Sequence, residues 1–301
     1  MLGTRRRVAI GAGVLALVAA ALTAATVGPV SPAAAAVAAK PTCGSATIYK
    51  AGGPAWRCTF ADDFSGTALD RSKWTVQETA TSGYHNGGDC FFDDPRNVSV
   101  ASGALTLTTR REAASFICKD PAGEYASSFT SGMVSTWGRF AQAYGRFEIR
   151  AKFPAAKVAG VQGALWLWPV DSSKYGSWPA SGEIDIAEAY SQYPDRVIPY
   201  VHYLSERNDT TVTNNFCMVS DPSAFHTYAV EWTPTRIKIT YDGKTCLDHA
   251  IDPAGSMRAP APFDQPYMVV LTQTLGLGAN ARTRSTPLPA TTVVDYVRVW
   301  S

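Results

Sequence analysis

Beyond residue 98, apolar, β-branched or aromatic residues recur at about every second position. The pattern holds in VSVASGALTLTT (98–109), YGRFEIRAKF (144–153), HTYAVEWT (226–233), RIKITYDGKTCL (236–247) and TTVVDYVRVW (291–300). This is the period of a strand with one buried face. ALWLWPV (164–170), EIDIAEAY (183–190), YVHYL (200–204) and YMVVLTQTL (267–275) are denser clusters of the same residue types, which favour a pleated, buried surface. Asp242-Gly243 and Ser102-Gly103 interrupt paired runs and predict tight hairpin turns. No segment after residue 40 sustains a helical apolar period for three turns, which argues against an α/β sheet with crossover helices. The pattern predicts an all-β fold, two antiparallel sheets packed as a β-sandwich.

The head of the chain reads differently. Arg5, Arg6 and Arg7 precede an apolar run to about Val27, followed by an Ala-rich stretch at 33–39 with several A-x-A cleavage points. These are the parts of a secretory signal peptide, here residues 1–39. The competing reading is an uncleaved anchor, but the run is rich in Ala, Gly and Thr and lacks bulky apolar side chains. Cleavage after Ala39 leaves 262 residues and shifts the formal charge from +2 to −1, since the segment carries three arginines and no acid. A near-neutral mature chain has no electrostatic footprint for nucleic acid or for an anionic membrane. Its length suits one large all-β domain.

Six cysteines, all in the mature chain, lack the C-x-x-C pairs or His/Cys clusters of a zinc site. An even count in an exported protein predicts disulfides. Fifteen connectivities are open; sequential pairing, 43–58, 90–118 and 217–246, closes the shortest loops. Two N-x-[ST] triplets begin at Asn97 and Asn208, a pattern common by chance.

The chemistry concentrates in SGEIDIAEAY (181–190), with Glu183, Asp185 and Glu188 in six positions. In a regular strand Glu183 and Asp185 share a face and Glu188 points the other way. Ile184 and Ile186 alternate with the acids as though one face is buried. One β-bulge between Asp185 and Glu188 adds the missing residue and returns Glu188 to the acidic face. Two glutamates flanking an aspartate then suit retaining glycoside hydrolysis, which needs carboxyl groups about 5–5.5 Å apart. Trp166, Trp168, Trp178, Tyr190 and Tyr203 lie around this strand; they read either as flat faces for sugar rings or as core.

These residues carry a family resemblance. WPASGEIDIAE (178–188) resembles the W-P-x-x-G-E-I-D-I-x-E core of glycoside hydrolase family 16, in its bulged, laminarinase-containing branch. FADDFSGTALDRSKW (60–74), YGRFEIRAKFP (144–154), VHY (201–203), FHTYAVEWTPTRIKITYDGK (225–244) and VDYVRVW (294–300) match further family segments in order. The resemblance implies a concanavalin-like jelly roll with a concave substrate cleft. It divides the chain into a signal peptide (1–39), an N-terminal extension (40–59) and a catalytic domain (60–301). It implies Glu183 as nucleophile, Asp185 as its assisting carboxylate and Glu188 as acid/base, with Trp166, Trp178 and His202 on the substrate. It implies no cofactor in catalysis. A structural calcium ion is implied at Asp63, Gly103 and Asp295, where Asp63 stands in place of the family's longer glutamate; oxygen donors suit that ion. The implied function is a secreted, monomeric endo-β-glycanase acting on polysaccharide, most of all β-1,3-glucan. Galactan, mixed-linkage glucan, transglycosylation and a non-catalytic glucan-binding lectin are the alternatives. The segments 84–94 and 271–276 depart from the usual laminarinase sequences, so the resemblance fixes the catalytic row more firmly than the sugar.

Overall fold

In the computed structural model of the protein, which describes residues 41–206 and 210–301, strands form wherever the alternating pattern predicts them. In chain order they are β1 (Cys58–Asp62), β2 (Thr75–Val76), β3 (Cys90–Phe91), β4 (Val98–Ala101), β5 (Ala104–Cys118), β6 (Tyr125–Ser135), β7 (Gly145–Lys152) and β8 (Val161–Pro169). They continue with β9 (Glu183–Tyr190), β10 (Ile198–His202), β11 (Thr211–Thr213), β12 (His226–Trp232), β13 (Arg236–Tyr241), β14 (Lys244–Ala250), β15 (Tyr267–Leu275) and β16 (Ala290–Trp300). The proposed signal peptide and the Asn208 triplet's first two residues lie outside the described residues. Among the described residues the helical elements are one four-residue turn, Thr79–Ser82, and one 3₁₀ turn, Gly278–Asn280.

Pairing runs in the order β11-β10-β9-β8-β15-β6-β5-β16-β7-β12-β13-β14, antiparallel along the whole path. The path folds over at the long strand β5. Its first half pairs with β4 and β16, and its second half, from Arg110 on and with a register irregularity between Arg111 and Phe116, pairs with β6. One layer is therefore β11-β10-β9-β8-β15-β6, and the other is the first half of β5 with β16-β7-β12-β13-β14. This is the antiparallel jelly-roll sandwich. The Ser102-Gly103 and Asp242-Gly243 turns have positive φ at both residues, as a tight hairpin between twisted strands requires.

Between the layers lie Phe147 and Ile149 of β7, Leu165 and Leu167 of β8, Ile184 of β9, Trp232 of β12, Val269 and Leu271 of β15 and Val297 of β16, all fully buried. Each such side chain contributes about 1.5–3 kcal/mol relative to exposure. Tyr203 belongs to this core: it is fully buried and its hydroxyl meets His249 Nε2 at 2.7 Å, so it is not a sugar platform. Asn97 is buried as well, its amide donating to Thr108 O and Thr130 Oγ1, which leaves no room for a glycan.

The cysteines pair sequentially, 43–58, 90–118 and 217–246. A loop of about 15 residues, as in the first, is worth roughly 3 kcal/mol in the chain-entropy account. The segment before residue 60 is tied to the sandwich by the 43–58 disulfide and by the sheet. Strand β1 begins at Cys58, and Arg57 and Ser301 exchange backbone hydrogen bonds of 3.1 and 2.9 Å, tying the segment to the end of β16.

Candidate active site

Strand β9 carries the acids. Its register against β8 runs Ala164↔Glu188, Leu165↔Ala187 and then Trp166↔Asp185, so one residue of β9 has no opposite number. The other neighbour, β10, agrees, with Ile198↔Glu188 followed by Tyr200↔Asp185. Ile184, Ile186 and Ala187 are all fully buried. The chain thus places two successive residues, Ile186 and Ala187, on the core side, and Glu188 returns to the face of Glu183 and Asp185. This is the bulge that the spacing predicts. Gly182 opens the strand at φ +82°, where a Cβ would stand 2.3 Å from Tyr267 Oη, so only glycine brings the chain into β9 here.

The three acids line one cleft of about 460 Å³. Its floor is apolar, built from Met133 of β6, Ala164, Trp166 and Trp168 of β8, and Met268 and Val270 of β15. Trp166 is only 8% exposed and donates its indole N–H to Thr272 Oγ1 at 3.0 Å, so it supports the floor and presents little surface. Trp178 is 53% exposed and donates to Glu183 Oε2 at 2.6 Å. Its ring lies 5.3 Å from that of His202 and leaves about half its surface open to the cleft.

His202 pairs with Glu183 across the β9–β10 ladder. Its Nε2 lies 3.3 Å from Asp185 Oδ2 and its Nδ1 meets Thr211 Oγ1 at 3.0 Å. The ring stacks on Tyr200 at 5.5 Å. Asp185 Oδ2 is buried and makes no hydrogen bond. Donor atoms of Glu183, Asp185 and His202 fall within 4.8 Å of one another, a grouping that could hold a cation among the described residues.

Burial raises all three carboxyl pKa values. Glu183 is pushed well up, first by desolvation and then by the charge of Asp185. Asp185 is pushed well up by desolvation and by Glu188. Glu188 is raised by desolvation, against hydrogen bonds from Tyr190 and Gln162 that favour its ionised form. A buried row of like charges holds protons at pH values where free carboxyls have lost them. One acid kept protonated beside one ionised is what retaining hydrolysis requires.

Four residues at or behind the row escaped the sequence reading in this role, two touching Glu188 and two packed behind. Tyr190 Oη donates to Glu188 Oε2 at 2.6 Å and Gln162 Nε2 donates to Glu188 Oε1 at 2.5 Å. Tyr84 packs beside Trp166, with ring centroids 6.2 Å apart, and Asn86 Nδ2 reaches Gln162 Oε1 at 3.4 Å. Tyr190 was readable, two positions after Glu188 on one strand face. Gln162 was not, because its place follows from the register of β8 against β9.

Of the residues expected to hold calcium, Asp295 lies on β16 and the other two sit beside the ends of strands paired with it. Strands β5 and β1 lie along the same side of β16, opposite β7, so Gly103 before β5 and Asp63 after β1 both approach β16 near Asp295. The carboxylates are engaged, however: Asp295 Oδ2 accepts from Arg150 Nη1 at 2.6 Å and Asp63 Oδ1 caps Ser65 N at 3.2 Å. An ion that used Asp295 Oδ2 would compete with the guanidinium.

Comparison with known proteins places this geometry among carbohydrate-active enzymes. The family model described as glycosyl hydrolases family 16 matches residues 90–287. The chain is 34% identical over 262 residues to glucan endo-1,3-beta-glucosidase A1 of Niallia circulans, covering 79% of this chain and 37% of that protein. It is 32% identical to a beta-glucanase of Rhodothermus marinus, covering 82% and 86%. The chain thus spans a little over a third of the first relative and most of the second. The solved laminarinase from Rhodothermus marinus superposes with a TM-score of 0.68 at 30% identity, over 81% of this chain and 97% of that one.

Proposed function

The chain belongs to family 16 of the glycosyl hydrolases, and from that premise we propose that it cleaves β-1,3-glucan internally by double displacement. Glu183 attacks the anomeric carbon while Glu188 gives its proton to the departing glycosidic oxygen. Glu188, now ionised, takes a proton from water, which releases the sugar from Glu183 with the β configuration retained. Asp185, between them, holds the row's charge balance, and Trp178 orients Glu183 through its indole N–H.

The observation that carries this reading is the bulge at Ile186 and Ala187, seen against both β8 and β10. It serves no packing need that a regular strand would not meet, and it is what returns the second glutamate to the cleft. The names of two similar proteins, a glucan endo-1,3-beta-glucosidase and a beta-glucanase, support glucan as the substrate. The reading includes export through residues 1–39 and action as a monomer on polysaccharide, with neither nucleic acid nor membrane as partner. The disulfides support the export.

Incubating the mature chain with β-1,3-glucan, mixed-linkage β-glucan and galactan, with product masses followed in time, tests it. Oligosaccharides of several lengths should appear early from the β-1,3-glucan. Early release of a single small sugar, or cleavage of galactan alone, overturns the reading.

A further inference from the structure

We propose that Gln162 is the positioning residue for the acid/base Glu188, and that Asn86 fixes which end of the Gln162 amide faces it. The inference rests on the reading of Glu188 given above. In the β8–β9 ladder Ala164 stands opposite Glu188 and Gln162 opposite Tyr190, so Gln162 is the diagonal neighbour of Glu188 on the cleft face. The two oxygens of Glu188 are treated differently. Oε1 accepts from Gln162 Nε2 at 2.5 Å, whereas Oε2 accepts from Tyr190 Oη at 2.6 Å.

A primary amide has a donor end and an acceptor end. The acceptor end, Gln162 Oε1, is taken by Asn86 Nδ2 at 3.4 Å, which leaves the NH₂ end toward Glu188. A proton on Glu188 Oε1 would then oppose an amide hydrogen. A proton on Oε2 meets a hydroxyl, which can turn to accept. The geometry therefore makes Oε2 the oxygen that carries the proton to the leaving group and Oε1 the fixed pivot.

Asn86 is itself held. The carboxylate of the fully buried Asp89 accepts from Asn86 N at 3.1 Å, Leu275 N at 2.9 Å, Thr274 Oγ1 at 2.7 Å and Ser131 Oγ. The adjoining Cys90 is bonded to Cys118. Loop 84–89 is thereby clasped to β15 and β6, and the clasp reaches the acid through two amides. The other titratable groups that interact electrostatically with Glu188 are Glu183 and Asp185 on its own strand, His202 and Tyr200 on β10, Tyr84 on the loop and Tyr241 from the opposite layer. None of them is replaced in the test.

The test compares the mature protein with Gln162→Met, of similar length but with no donor, on β-1,3-glucan and on a dinitrophenyl β-glucan oligosaccharide whose leaving group needs no proton. Loss of the amide should lower kcat on glucan by about tenfold or more, a part of the roughly 10²–10⁴ that acid/base catalysis supplies, with KM little changed. The high-pH limb of kcat/KM should move up, because a donor to the ionised carboxylate is gone. kcat/KM on the dinitrophenyl substrate should be largely kept. Asn86→Ala should act in the same direction and more weakly, and it carries the same test if Gln162→Met does not fold. A loss carried by KM, equal on both substrates and with the limb unmoved, makes Gln162 a sugar contact and overturns the proposal. A wild type inactive on every glucan brings down the role of Glu188 and this proposal with it. An active wild type with a Gln162→Met variant of unchanged profile brings down the positioning role alone.

Discussion

Tyr241 donates its hydroxyl across the core to the carbonyl of Ile186 at 3.0 Å, so a side chain of one layer satisfies the bulge in the other. A bulge leaves a ladder position unpaired, and here that position is buried. Tyr241→Phe should therefore cost about 1–3 kcal/mol, the price of an unsatisfied buried polar group. The freed bulge should also move Glu188 and lower kcat. Urea unfolding and kcat, measured on the same preparation, check both; a variant as stable and as active as the wild type denies the Tyr241–Ile186 bond any structural part.

The order of roles along β9 is read from the anomer of a trapped product. With Glu188→Ala, a substrate with a good leaving group should still glycosylate Glu183, and azide should release a β-glycosyl azide. With Glu183→Ala, azide in the vacated space should attack directly and give an α-glycosyl azide. If the anomers are exchanged, so are the roles.

Trp178→Phe keeps an aromatic face and removes the N–H that Glu183 accepts at 2.6 Å. That bond favours the ionised nucleophile, so its loss should raise the low-pH limb of kcat/KM. A hydrogen bond to a charged group is worth about 1.5–3 kcal/mol, enough to move the limb visibly. An unmoved limb with a raised KM would leave Trp178 a sugar contact only.

Asp185→Asn should stabilise the fold at neutral pH. Burial and Glu188 hold the native pKa of Asp185 well above its ordinary 3.8, so the native state keeps its proton after the unfolded chain has lost it. Stability thus falls as pH rises from about the ordinary value through the raised one. Asparagine has no proton to lose, and its advantage in Tm should be small below that window and larger at about pH 7. Each kcal/mol is worth about 2–4 °C in a domain of this size. An advantage independent of pH would mean that packing, not charge, is the cause.

Calcium at Asp63, Gly103 and Asp295 is a proposal whose rival is Arg150. Bound ligand at a hundredfold excess over its Kd stabilises by about 2.7 kcal/mol. Arg150→Gln should enlarge any rise in Tm produced by Ca²⁺, since it frees the Asp295 oxygen. A Tm indifferent to calcium and to chelator in both proteins removes the site.

The sequence alone determined the fold class, the hairpin turns at Ser102-Gly103 and Asp242-Gly243, and the bulge. Each of these is local: a period of two, a pair of residues able to adopt positive φ, and a carboxylate one position out of phase with buried isoleucines. It did not disclose β6, because YASSFTSGMVS carries serine and glycine where the pattern looks for β-branched side chains. Those small polar residues are buried by neighbours remote in sequence: Ser131 by Asp89, Thr130 by Asn97. Nor could it sort the aromatics. Tyr203 and Trp178 look alike in the chain, yet one is fully buried and the other 53% exposed, since depth is a property of how two sheets stack. Likewise the partners of Glu188 come from register. Gln162 stands 26 residues away in sequence, and only the pairing of β8 with β9 brings its amide to the acid.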